Sequence, residues 1–184
     1  MVPFLIILGV LVLLGLVAIG AYNGLIRGRN QVENAWSQID VQLKRRIDLI
    51  PNLVETVKAY AAHEKDTLDA VVRARNAAIA APATPAGQAQ ADTQLTGALR
   101  QLFALSEAYP DLKANQNFLA LQEELTATEG RVAYARQFYN DSVLTYNNKL
   151  QAFPTVFFAT MMKFSKREYF EADEASREVP KVGF

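Results

Sequence analysis

His63-Glu64 opens as a zinc-protease helix does, with a histidine followed by the glutamate that would act as general base. The second histidine of such a motif would have to stand at position 67 to reach the same metal, and that residue is Thr67. His63 is the chain's single histidine, so no imidazole pair is available and it reads as a surface histidine. Glu123-Glu124 are adjacent carboxylates, but neighbours on a helix point about 100° apart and cannot share a proton or a substrate. The serines Ser37, Ser106, Ser142, Ser165 and Ser176 lack a histidine base. No glycine-rich phosphate loop with its lysine is present. The residues predict no enzyme, no cofactor, no metal and no small-molecule substrate.

Basic residues offer a different chemistry. Lys44-Arg45-Arg46 is the densest cationic run. On a straight helix it would lie about 35 Å past Ala21, well beyond the ~8 Å screening length at cellular salt. It therefore reads as a solvated face or a partner contact rather than a lipid site. Arg27 and Arg29, about 9–12 Å past Ala21 by the same rise, are the candidates for lipid-headgroup contact. With 19 basic and 19 acidic residues in 184, no overall charge argues for nucleic acid. The absence of cysteine excludes a disulfide scaffold, a thiolate metal site and a lipidated N-terminus.

These residues are positioned by helices. Val2 to Ala21 is an uninterrupted apolar run without charge, roughly 30 Å long as a helix, which matches a bilayer core. A cleaved signal peptide would need a basic start, a shorter apolar core and a better cleavage site than Ala18-Ile19-Gly20. The run is read as a transmembrane anchor, residues 1–24. Arg27 and Arg29 precede the first acid, Glu33, which places the C-terminal domain in the cytoplasm and the N-terminus outside.

From Val32 the apolar period is helical. Trp36, Leu43, Ile50 and Val57 are seven apart, with Ile39 and Leu53 between them. The seam keeps its phase through Pro51, which predicts one kinked helix running to about Ala80. The stretch AAPATPAGQ (Ala80–Gln88) is a linker. A second helix follows to Tyr109-Pro110, and a third runs from Asn117 to Ala152. The third carries Phe118, Leu125, Val132, Tyr139, Tyr146 and Phe153 at heptad spacing, with Leu121 and Ala135 beside them. FPTVFFATMMKF (Phe153–Phe164) is read as a short fourth bundle helix, an interfacial membrane helix being disfavoured because three passes leave the chain far from the bilayer. Spaced apolar residues Phe170, Val179, Val182 and Phe184 predict a docked tail over residues 168–184. The expected fold is all-α: an anchor continuing into an antiparallel up-and-down bundle over residues 25–167, with three long helices and a short fourth.

Two features predict self-association. Gly20, Gly24 and Gly28 would line one helix face and let a second backbone approach. A first helix of roughly 85 Å against a returning helix of ~33 Å would leave Trp36, Ile39 and Leu43 without an intrachain partner. Together these six residues form the candidate oligomer interface.

RNQVENAWSQIDVQLKRRIDLIPNLVETVKAYAAHE (Arg29–Glu64) resembles the signature block of the LemA family. YPDLKANQNFLALQEELTATE (Tyr109–Glu129), the pairs Tyr139-Asn140 and Tyr146-Asn147, and YFE with VPKVGF near the C-terminus resemble its remaining blocks, in the same order. The resemblance implies a bacterial inner-membrane protein with one span and a cytoplasmic helical bundle. It carries over no catalytic residue, and one branch of the family belongs to the magnetosome system. The reading is a membrane-anchored, self-associating scaffold that organises or shapes the inner membrane through protein contacts. The partners are then the bilayer, further copies and another membrane protein. The alternative is a monomeric regulatory adaptor that presents the bundle to a membrane protease or similar partner.

Overall fold

The apolar run and the seam beyond it form a single helix, α1, from Val2 to Lys58, in a computed structural model that describes residues 2–171. α2 spans Lys65–Ala80, α3 Pro85–Ser106, α4 Pro110–Lys113, α5 Gln116–Gln151 and α6 Thr155–Met161, with no strand among the described residues. Residues 172–184, with Val179, Val182 and Phe184 of the expected docked tail, lie outside the described residues.

α1 passes through Pro51 unbroken. Proline has no N–H to give the carbonyl of Ile47 one turn back, and Arg75 of α2 donates its Nε–H to that oxygen instead, at 3.4 Å. The helix ends sooner than its composition suggests. Residues 59–64 form a turn, with Tyr60 and Ala61 both donating to the carbonyl of Val57. The expectation of one helix to Ala80 is corrected: AYAAHEKD contains neither glycine nor proline, and tertiary contacts override its helical propensity. Ala61 is buried in the core at this turn, and the Glu64 carboxylate accepts from Tyr109 at 2.8 Å.

The extra turn changes the direction of every later pass. α2 returns along α1, and α3 runs back out, starting from a Thr84 cap whose hydroxyl accepts from the Gly87 amide. Pro85 occupies the first helical position, so the second half of the expected linker is the first turn of α3. Asn115 caps α5 by accepting from the Phe118 amide at 3.0 Å, and its amide group donates to the Tyr60 hydroxyl. α5 is antiparallel to α1, so the fourth pass is a long helix rather than the short segment Phe153–Phe164. The all-α bundle expected from sequence is present, and the short helix expected in Phe153–Phe164 forms as α6, after the fourth pass rather than as that pass.

The chain divides into two compact units. In one, Gln38–Arg136 with the chain from Tyr169, the four helices enclose a core of Ile50, Leu53, Val57, Val71, Leu95, Leu102, Phe118 and Leu125. In the other, Gln137–Glu168 packs on α1 up to Ser37. There Trp36 meets Tyr139 with ring centroids 5.5 Å apart, and Leu25, Val32, Val143 and Leu150 are buried. The α5 seam is buried from Phe118 to Tyr146 but stops there: Phe153 falls past the helix end and is 81% exposed.

α6 closes with the two hydrogen bonds of a Schellman cap, Phe164 N–H to the Ala159 carbonyl and Lys163 N–H to that of Thr160. Glycine usually fills the left-handed position of this cap. Here it is Lys163, at φ 57°, where an L side chain costs roughly 1–2 kcal/mol.

Candidate membrane-proximal site

Residues 2–17 are exposed, and α1 carries one stretch long and apolar enough to cross a membrane, none of it buried within the protein. Just past this stretch the chain braces its own exit. The Tyr22 and Phe164 rings meet edge-on at 6.3 Å, and the Arg29 guanidinium lies 5.9 Å from the centre of the Phe164 ring. Glu33 ties the same level together, at 3.8 Å from Arg29 and 3.1 Å from Arg167. Arg27 remains exposed and turns back along the helix, donating Nε–H to the Asn23 carbonyl at 3.2 Å. The two arginines placed here by sequence therefore differ. Arg27 is exposed, while Arg29 is half-buried and lies over the Phe164 ring.

The segment after α6 is clamped to α5. Asn147 pairs with the backbone of Arg167 in both directions, accepting from its N–H and donating to its carbonyl, each at 2.9 Å. Tyr139 donates to the Glu168 carbonyl at 2.9 Å. Burial raises the Tyr139 phenol above its ordinary range, partly offset by the positive charge of Arg167. Burial likewise raises Tyr146. Farther along, in the other unit, Arg136 covers the Phe170 ring at 4.9 Å. Tyr139 and Asn147, one residue from each Tyr-Asn pair, thus fix residues 167–168 against α5.

The glycine column separates into two kinds. At Gly20 and Gly24 an added Cβ would meet no atom within 4 Å, whereas at Gly28 it would lie 3.1 Å from Cδ2 of Tyr146. Gly28 serves close packing inside the chain. Ile39 and Leu43 are buried by the chain's own helices, and Trp36 is half covered by Tyr139. The expectation that this face of α1 lacks an intrachain partner is corrected: Trp36 meets Tyr139 of α5, and Leu43 lies beside Ala78 of α2 and Ala91 and Leu95 of α3. Of the six residues proposed for an interface, Gly20 and Gly24 remain open to another molecule.

The basic run also divides. Lys44 is exposed, and Arg45 pairs with Glu124 at 2.7 Å. Arg46, expected on a solvated face, is 1% exposed and reaches Asp92 of α3 at 2.6 Å, with Glu129 at 3.6 Å. It stands seven residues from both Ile39 and Leu53, a core position of the seam. That register was the available signal, and the flanking charges masked it. His63 lies exposed in the α1–α2 turn, and no group of three or more possible metal ligands occurs among the described residues. A polar recess at the distal turns, lined by Tyr60, Asp111, Asn115 and Asn117, is open to solvent and suits a surface contact.

The LemA family model matches residues 35–184. The chain belongs to the LemA family. It is 26% identical over 161 residues to Protein LemA of Metamycoplasma hominis, covering 88% of this chain and 74% of that relative. It is also 25% identical over 179 residues to Magnetosome protein MamQ 2 of Paramagnetospirillum magneticum and to Magnetosome protein MamQ of Magnetospirillum gryphiswaldense. Those alignments cover 84% of this chain, which spans 66% of either magnetosome relative's length. The LemA-family match begins at Ala35, so the membrane reading of α1 stands on the apolar run itself.

Proposed function

We propose that this LemA-family chain is a membrane-anchored, non-enzymatic, self-associating scaffold that organises or shapes the bacterial inner membrane through protein contacts. One observation carries the reading: the anchor is itself a bundle helix. α1 leaves the apolar run and enters packing at Leu25 without a linker, and Tyr146, Phe164 and Arg167 brace it there. An adaptor meant to reach a partner would be better served by a flexible tether. The relatives named for magnetosomes support a membrane-associated helical protein.

Arg27 and Arg29 favour a cytoplasmic bundle and an outer N-terminus. A reporter fused after Phe184 is expected to be active only in a cytoplasmic assay, and periplasmic activity would reverse the orientation. Self-association in this proposal runs through the anchor, at Gly20 and Gly24, where small residues allow helices to approach. The chain has no cysteine, so single cysteines at Ala21, Gly20 and Gly24 report cleanly in native membranes. Oxidant should give a band of double mass from at least one of them; none from any position favours the monomeric adaptor.

A further inference from the structure

We infer that the segment from Phe153 to Met161 is a second membrane contact, lying in the headgroup layer of the leaflet from which α1 emerges. The inference rests on α1 spanning the bilayer and adds to it a lipid-binding face that is not part of the span. Tyr146 of α5 packs at Gly28, and five more residues of antiparallel helix, about 7.5 Å, bring Gln151 to the level of Asn23. The chain then turns into α6, and the residue that follows its cap, Phe164, touches Tyr22, the first residue past the apolar run. The segment is therefore held at the depth where the bilayer ends.

Its surface suits that depth. Phe153, Phe157 and Met161 are spaced four apart and form one stripe, exposed to 81, 66 and 68%, with the two phenylalanine rings in edge contact at 5.9 Å. Three large apolar side chains this bare form a patch that soluble surfaces avoid. The patch lies on the segment whose following residue, Phe164, meets Tyr22 at the end of the apolar run, which identifies its occupant as the bilayer. Lys163 and Lys166, both exposed, supply a basic rim for anionic headgroups. At seven residues α6 is far too short to span, and an amphipathic piece of this kind lies in the interface.

The test uses the full chain in nanodiscs, with a small fluorophore on single cysteines at Phe157 or Met161. Controls sit at Leu13, in the span, and at Ser37, about 24 Å past Ala21. Lipids brominated near the headgroup end of the acyl chain should quench the Phe157 and Met161 probes at least twofold, while aqueous iodide quenches Ser37 instead. Iodide quenching at both α6 positions without bromolipid quenching would overturn the inference, leaving the anchor intact if lipids brominated deeper in the chain still quench Leu13. Protection from both quenchers would mean that a second copy covers the stripe, which also overturns it. Failure at Leu13 as well would remove the anchor and the inference together.

Discussion

Gly28 of α1 packs directly against Tyr146 of α5: a Cβ on Gly28 would lie 3.1 Å from Cδ2 of the tyrosine ring. A glycine that sequence alone assigns to contacts between copies is thus spent on holding α5 against α1. Replacing Gly28 by leucine is expected to cost about 1–3 kcal/mol through overpacking. Gly130, in the interior of α5 with nothing within 4 Å of its Cβ position, gives the contrast. Gly130→Ala should stabilise by about 0.5–1 kcal/mol. Thermal unfolding of the solubilised chain followed by circular dichroism checks both signs.

The buried Arg46–Asp92 pair makes a second prediction. Asp92→Ala leaves a guanidinium 1% exposed with only Glu129, at 3.6 Å, nearby. Removing one partner of such a pair costs about 3–5 kcal/mol, whereas an apolar pair of similar volume is often neutral or better. Arg46→Met with Asp92→Leu should therefore recover most of the stability lost in Asp92→Ala. Denaturant midpoints decide it; a double variant as weak as the single one contradicts the account.

Legibility from sequence followed the apolar register. The buried positions of α1 and α5 and the unbroken passage through Pro51 follow from repeats of three and four, and the long apolar helix at the start of α1 follows from the uninterrupted run Val2–Ala21. The turn at residues 59–64 left no local mark, because it is imposed by packing at Ala61 and by the Tyr109–Glu64 contact, which join residues far apart in the chain. That one omission reversed the direction of α2 and, through it, the destination of α5. It hid the exit site, since Phe164 and Tyr146 reach α1 only after an odd number of reversals, three here rather than the two expected.

Pro51 and Arg75 should behave as a coupled pair. Arg75 donates to the carbonyl that Pro51 leaves without its helical partner. Arg75→Ala is expected to cost about 0.5–1.5 kcal/mol, an ordinary hydrogen-bond loss. In a Pro51→Ala background, where a backbone N–H can serve Ile47, the same change should cost clearly less. Equal costs in the two backgrounds would show that the arginine acts elsewhere.

Alkaline pH should loosen the strap that follows α6. Burial raises Tyr139 and Tyr146 above the usual 10.0, so folding favours the protonated phenols. Their contribution is complete below the unfolded value and is lost as pH climbs through the folded one. The melting temperature should fall as pH climbs above about 10, less steeply in Tyr139→Phe, which lacks one of the raised phenols. Below pH 9 the same variant should be weaker by about 1 kcal/mol for the lost bond to Glu168. A pH profile identical to that of the parent protein removes Tyr139 from the explanation.

The central claim is a scaffold built from copies that meet through the anchor, and the mass of the full chain in detergent and in nanodiscs tests it most directly. Across a series of protein-to-detergent ratios the account predicts a dimer or larger species. Gly24→Leu should shift that species toward the monomer with helix content nearly unchanged, because a Cβ at Gly24 would meet no atom within 4 Å. A parent protein that remains monomeric at every ratio and in nanodiscs would contradict the account.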